Sequence, residues 1–252
     1  GEMLYGAMKD RLQTPGGAVA NTIAGIGALG LPTAFIGRVH DDALGRFYAK
    51  SMVDGGTDFV NDPVAGGDLP TSRSMIFVSP DGERSMNTYL GISTDLGPDD
   101  VPDDVASAAK IMFLEGYLFD KDKGKQAFLE ASRLTRAAGG KAGIAISDPF
   151  CVSRHRDDFL RMIRDELDFV IGNQAEILSL FETDDLEDAL TRTAAMCGTV
   201  VCTRSGDGVT LIRDGERVDV PVTKVTPVDA TGAGDQFAAG FLYSMATDRN
   251  LE

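Results

Sequence analysis

From residue 99 onward the chain alternates between two periods. Helical spacing over 102–109 precedes an apolar run at 111–115, 121–138 precedes 142–147, and 159–165 precedes 168–171. Helical stretches at 175–180 and 186–196 then lead to apolar runs at 199–203 and 209–213. Short apolar runs between amphipathic segments predict strands buried on both faces, hence a largely parallel sheet with helices on either side. In such sheets ligands gather beyond the carboxyl ends of the strands. That rule draws attention to Asp148, to Asn173 and Glu176, and to the turn Thr203-Arg204-Ser205-Gly206-Asp207-Gly208.

The first third is patterned differently. Residues 1–13 form a polar-apolar opening with no clear partner. Thr14-Pro15-Gly16-Gly17 reads as a turn, after which Val19, Ile23, Ile26 and Leu29 make a helical face. Asn21 lies on the first turns of that helix, where it either bonds locally or holds a polyhydroxyl substrate. Gly25-Ile26-Gly27-Ala28-Leu29-Gly30 has the spelling of a dinucleotide fingerprint, yet a helix precedes it and Pro32 follows. Gly30 is therefore expected to end the helix. A short strand at 33–36 leads through 37–45 into a helix reaching about residue 53, capped by Asp41 or Asp42. A strand near Phe59 follows. Runs at 74–79 and 84–89 flank Pro80-Asp81-Gly82-Glu83, a hairpin signal. The stretch of about 55–95 is expected to form a small β-rich lid over a substrate, within one domain spanning 1–252.

The chemistry concentrates near the end. Asp229-Ala230-Thr231-Gly232-Ala233-Gly234-Asp235 follows a strand end expected at 226–228 and precedes the helical stripe Phe237, Ala238, Phe241, Leu242, Met245. Gly232, Ala233 and Gly234 thus sit where free amides and the positive end of a helix dipole attract an anion. Asp235, in the first turn, is placed to take a proton from an incoming hydroxyl. The plainer alternative is a glycine turn with a first-turn aspartate. Asn173 and Glu176 likewise read either as a capping box or as oxygen ligands to the waters of a magnesium ion. Thr203 to Gly208 is at least the turn before the run at 209–213.

Composition narrows the function. The 252 residues suffice for a sizeable core, and 43% hydrophobic content argues against disorder. A net charge of -15 disfavours nucleic acid and anionic membranes as partners. Cys151, Cys197 and Cys202 are odd in number and lack metal spacing, which suits reduced thiols in a cytoplasm. His40 and His155 are the only histidines, too few for a zinc site or a histidine-based triad. The uncharged run 16–37 is broken by Asn21, Gly25, Gly27, Gly30 and Pro32 into a helix and a strand rather than a membrane span.

In this motif order the chain resembles the ribokinase-like, or PfkB, family of carbohydrate and nucleoside kinases. Gly16-Gly17 with Asn21 resembles the family's substrate signature, Gly37 through Gly45 its next segment, Asn173-Gln174-Ala175-Glu176 its Asn-x-x-Glu motif, and Asp229 to Asp235 its second signature. The resemblance implies a mostly parallel α/β fold with a small β lid, and an ATP-dependent phosphotransferase acting on a primary hydroxyl of a sugar or nucleoside. It implies Asp235 as catalytic base, the amides of 232–234 as anion hole, and Gly16, Gly17, Asn21 and Arg84 at the acceptor. Asn173, Thr203, Ser205 and Gly208 would meet the nucleotide, with Ser205 where a glycine is frequent. Asn173 and Glu176 would serve magnesium through water, and Asp229 and Thr231 match positions that hold a monovalent cation such as potassium in several members.

The segments 84–91 and 147–150 look most like the bacterial adenosine-kinase-like branch, making adenosine the leading acceptor and ribose or fructose the runners-up. A non-catalytic nucleotide or sugar sensor and a purely structural subunit are the rivals from other classes. Relative to the family, the chain is expected to be incomplete at both ends. An exposed lid strand would allow a homodimer.

Overall fold

A computed structural model describes residues 2–8, 11–78, 84–225 and 231–249. Its elements run α1 (Glu2–Ala7), α2 (Ala18–Ala28), β1 (Thr33–Phe35), α3 (Ala43–Asp54), β2 (Thr57–Phe59), β3 (Arg73–Val78), β4 (Arg84–Tyr89), α4 (Asp103–Ala108) and β5 (Ile111–Glu115). They continue α5 (Asp122–Ala137), β6 (Lys141–Ala145), α6 (Pro149–Asp165), β7 (Phe169–Asn173), α7 (Gln174–Phe181), α8 (Leu186–Ala194), β8 (Thr199–Thr203), β9 (Val209–Arg213), β10 (Glu216–Val220) and α9 (Ala233–Ala246).

The main sheet has the order β10-β9-β8-β7-β6-β5. Strands β5 to β8 pair in parallel, whereas β8, β9 and β10 pair antiparallel. Alternation along β7 shows why the strands read as continuous apolar runs. Val170 faces the cluster built with α5, α6, α7 and α8, while Phe169 and Ile171 face Ala238 and Leu242 of α9. Both faces are buried, so the result is three layers, helix on sheet on helix. Fully burying a side chain such as Phe169 is worth about 2–3 kcal/mol.

Strands β1 and β2 pair in parallel as a separate two-stranded sheet, closed by α2 and α3 over Ala20, Ile23, Met52 and the rings of Phe35, Tyr48 and Phe59. The third sheet is the antiparallel hairpin β3-β4. Of the stretch expected to form a lid, β2 therefore belongs with β1, and the free-standing part is this hairpin, whose turn at 80–83 lies outside the described residues.

Two elements differ from the sequence expectation. Helix α6 begins ten residues before 159, because Asp148 caps it, accepting from the Cys151 amide at 2.8 Å, and Pro149 enters at the first position. A non-helical backbone at His155 interrupts it. Strand β10 pairs with β9 through Asp214-Gly215, both at positive φ (51° and 86°), the conformation of a tight hairpin turn. A further small difference is that 2–7 is helical. Asp42, not Asp41, caps α3, accepting from Gly45.

Candidate active site

The carboxyl ends of β5, β6, β7 and β8 carry Glu115, Ser147 with Asp148, Asn173 and Thr203. Asn173 and Thr203 are register partners on neighbouring strands, so the two proposed nucleotide positions stand side by side. Beyond Asn173, the capping box is fully formed. Glu176 N donates to Asn173 Oδ1 at 3.0 Å, and the Glu176 carboxylate accepts from Asn173 N at 2.9 Å and from Asn173 Nδ2 at 2.6 Å. Glu176 is only 8% exposed, and burial raises its pKa above the usual carboxylate value. The cap holds that buried carboxylate at the strand end.

The turn after β8 is shaped by backbone. Arg204 N donates to Gly208 O at 2.8 Å, and a Cβ on Gly208 would come within 2.1 Å of Val220 O. Only glycine fits there. Ser205 adopts φ 50°, the left-handed region that glycine enters at least cost.

Helix α9 starts after Gly232, which has φ 73° and, as glycine, no side chain with which to cap it. Ala233 and Gly234 are exposed, while Asp235 is half-buried. Asn21 on α2 donates from Nδ2 to Asp235 Oδ2 at 2.8 Å. Thr22 Oγ1 donates to Asp235 O at 3.2 Å, and Gln236 Nε2 donates to Asn21 O at 3.2 Å. The helices approach closely because Gly25 lacks a side chain, since a Cβ would meet Gln236 Oε1 at 2.7 Å and Ala239 Cβ at 2.8 Å. Gly25 thus serves helix packing, which accounts for the glycine of the apparent dinucleotide fingerprint.

Gly17 enters α2 at φ 110°, and Tyr48 Oη donates to Gly16 O at 3.1 Å, tying the glycine pair to α3. Arg84 opens β4 opposite Val78, but its side chain lies outside the described residues, as does all of Asp229. Thr231 is exposed next to Gly232.

Glu115 was not singled out from sequence. Burial raises its pKa to about 7, working against the hydrogen bond from the Ser147 hydroxyl. The charge of Asp235 pushes it the same way, the Val19 amide offsets part of this, and Glu176 adds a weaker upward push. Among the described residues no hydrogen bond joins the Asn173–Glu176 group to the Asn21–Asp235 pair, and Glu115 is the residue that feels both. An acidic residue ending an apolar parallel strand was the available signal.

The site thus joins the glycine-led terminus of α9, a half-buried carboxylate on a distant asparagine, and the Glu115 and Glu176 carboxylates over parallel strand ends. The sequence model of the pfkB family carbohydrate kinases matches residues 6–252. The chain belongs to that family. The adenosine kinase from Sinorhizobium meliloti is 43% identical, with a TM-score of 0.93 over 100% of this chain and 77% of its own. The aminoimidazole riboside kinase of Salmonella typhimurium is 30% identical over 250 residues, covering 93% of this chain and 75% of that protein. A putative ribokinase II from E. coli, solved with ATP and magnesium, shares the fold at 19% identity and TM-score 0.84, over 98% of this chain and 82% of its own.

The kinase is accordingly a phosphotransferase of the sugar and nucleoside class, whose family uses ATP as phosphate donor and small-molecule sugars or nucleosides as acceptors. Its residues fit such ligands. The α9 terminus has the exposed residues Ala233 and Gly234, and Asn173 and Glu176 carry side-chain oxygens of the kind magnesium prefers. Among the described residues no three His, Cys, Asp or Glu side chains converge as a metal cage, and no helix is long and apolar enough to cross a membrane.

Proposed function

We propose that the kinase phosphorylates a primary hydroxyl of a nucleoside, adenosine first, with Asp235 as the base. The observation that carries this reading is the Asn21–Asp235 hydrogen bond, which brings the glycine-pair segment and the glycine-run helix to one place beside exposed amides. Asp235 accepts the proton of the acceptor hydroxyl, and Asn21 holds its carboxylate in position. The amides of Gly232, Ala233 and Gly234 stabilise charge on the transferred group. Gly16, Gly17, Asn21 and Arg84 bind the acceptor, while Asn173, Thr203, Ser205 and Gly208 bind the nucleotide. Asn173 and Glu176 orient waters of magnesium, which supplies neutralising charge for the phosphates when bound. Preference for adenosine is supported by the 43% identity to an adenosine kinase.

Asp229 and Thr231 are the residues we assign to a monovalent cation, tested by replacing potassium with tetramethylammonium in the assay. The β3-β4 hairpin closes over the acceptor and excludes water. Its exposed face, with Ile76 opposite Met86, is assigned to pairing with a second copy. The buried free thiols at 151, 197 and 202 support a cytoplasmic setting.

The deciding experiment is ADP release with MgATP against adenosine, inosine, ribose and fructose. Adenosine should give the highest kcat/KM. A free sugar outrunning both nucleosides overturns the acceptor assignment, and no ADP release with any acceptor leaves a sensor.

A further inference from the structure

We infer that Asp219, on the edge strand β10, is a positioning residue that braces the turn at 203–208 and so sets the affinity for the nucleotide. This rests on the nucleotide role proposed for that turn. Thr203, Val209 and Val220 are register partners across β8, β9 and β10, and Cys202, Thr210 and Asp219 are partners one step inward. Residues directly opposite in a sheet share a face, so Thr210 and Asp219 project together, and Arg204, two positions after Cys202, comes to the same side. Asp219 Oδ1 accepts from Thr210 Oγ1 at 2.6 Å and from Arg204 Nη2 at 3.1 Å. Arg217 donates from Nε to Asp219 Oδ2 at 2.9 Å and also bonds Glu187 in the first turn of α8. One carboxylate thus gathers a fully buried hydroxyl, the guanidinium of the turn and a cation tied to a helix.

Two further observations show why the turn needs holding. Ser205 lies at φ 50°, and a left-handed backbone at a residue with a Cβ persists only when its surroundings enforce it. The Arg204 side chain is only 22% exposed and its Nε is buried without a partner, so among the described residues Asp219 is the acceptor for this guanidinium. Loss of the carboxylate leaves a largely buried cation and the Thr210 hydroxyl without it. Backbone contact adds to the side-chain bonds. Val220 O, next to Asp219, lies where a Cβ on Gly208 would stand 2.1 Å away, so β10 packs directly against the end of the turn.

The test compares Asp219→Ala with Asp219→Asn in the full chain. Without nucleotide, amide hydrogen exchange at Arg204 and Gly208, both bonded within the turn, should accelerate about 3-fold or more in Asp219→Ala. It should stay near wild type in Asp219→Asn, whose side-chain oxygen still accepts from Thr210 and Arg204. KM for ATP, and Kd for MgADP by calorimetry, should rise about 3- to 10-fold in Asp219→Ala, with acceptor KM within about twofold, and should recover in Asp219→Asn. In an Arg204→Ala background the loss on adding Asp219→Ala should shrink below about twofold, since the effect passes through Arg204.

Unchanged exchange in Asp219→Ala overturns the brace, as do additive losses with Arg204→Ala. A raised acceptor KM with KM for ATP unchanged also overturns the proposal. Should Asp219→Ala not fold, Thr210→Val removes one bond to the carboxylate at nearly constant size and must raise KM for ATP by a smaller factor. Failure of the underlying reading shows separately. In the wild-type protein MgATP should slow exchange across 204–208, and a turn left unprotected overturns its nucleotide role whatever Asp219 does.

Discussion

Asn21 and Asp235 stand 214 positions apart in the chain and are joined by a 2.8 Å hydrogen bond from Nδ2 to Oδ2. The bond is the hinge of the site's geometry, because each residue sits in the first turns of its own helix and those helices pack side by side through Gly25 and Ala239. A charged acceptor paired with a neutral amide is aimed without being neutralised, which suits a base.

Asp235→Asn should lower kcat by roughly 10²–10⁴ while leaving the melting temperature nearly unchanged. The replacement keeps shape and an oxygen that accepts from Asn21, so packing between α2 and α9 survives. ADP release with adenosine, set beside a thermal melt, checks both halves. Near-normal turnover would remove Asp235 from the chemistry.

Asn21→Ala removes the donor and should cost about 1.5–3 kcal/mol in transition-state stabilisation, roughly 10- to 100-fold in kcat/KM. KM for ATP should stay within about twofold, because Asn21 is proposed for the acceptor side. Steady-state kinetics with each substrate varied in turn distinguishes this from a general loss of structure.

The glycine run allows a contrast between stability and activity. Gly232 has φ 73° and room for a Cβ, so Gly232→Ala should destabilise the fold by about 1–2 kcal/mol through its backbone alone. Gly234 lies inside α9 with nothing near its missing Cβ, so Gly234→Ala should be neutral or stabilising by up to about 1 kcal/mol. It should nonetheless reduce kcat, because the methyl would enter the space above the α9 amides. Melts and turnover measured on both variants give the comparison.

Glu115 makes stability depend on pH. Its folded-state pKa is raised from 4.5 to about 7, so its protonated form favours the fold. That contribution is complete below about pH 4.5 and disappears as pH rises through about 7, a change of roughly 3 kcal/mol. Glu115→Gln is blind to this window. Its denaturation free energy should therefore gain on that of wild type between pH 5 and 8, and a constant difference across the range would refute the assigned ionisation.

Much of the architecture was legible because it is periodic. The alternation from 102 onward became α4 to β9, and the stripe Phe237, Ala238, Phe241, Leu242 became the buried face of α9. Strand β10 escaped because its residues at 216–220 are largely exposed and charged, although Asp214-Gly215 announces the turn before it. The start of α6 escaped because 153–158 is polar and the helix breaks at His155, while the cap at Asp148 was the better guide.

The sequence by itself determined the order of most helices and strands, and that glycines precede an aspartate at a helix entry, since these depend on neighbours within a few positions. Only the tertiary structure decided that Asn21 meets Asp235 and that the Ser147 hydroxyl donates to Glu115. Those contacts arise from parallel crossovers that return separate strand ends to one edge, and from helices packed across a sheet face. No local spacing encodes which distant residues such crossovers bring together.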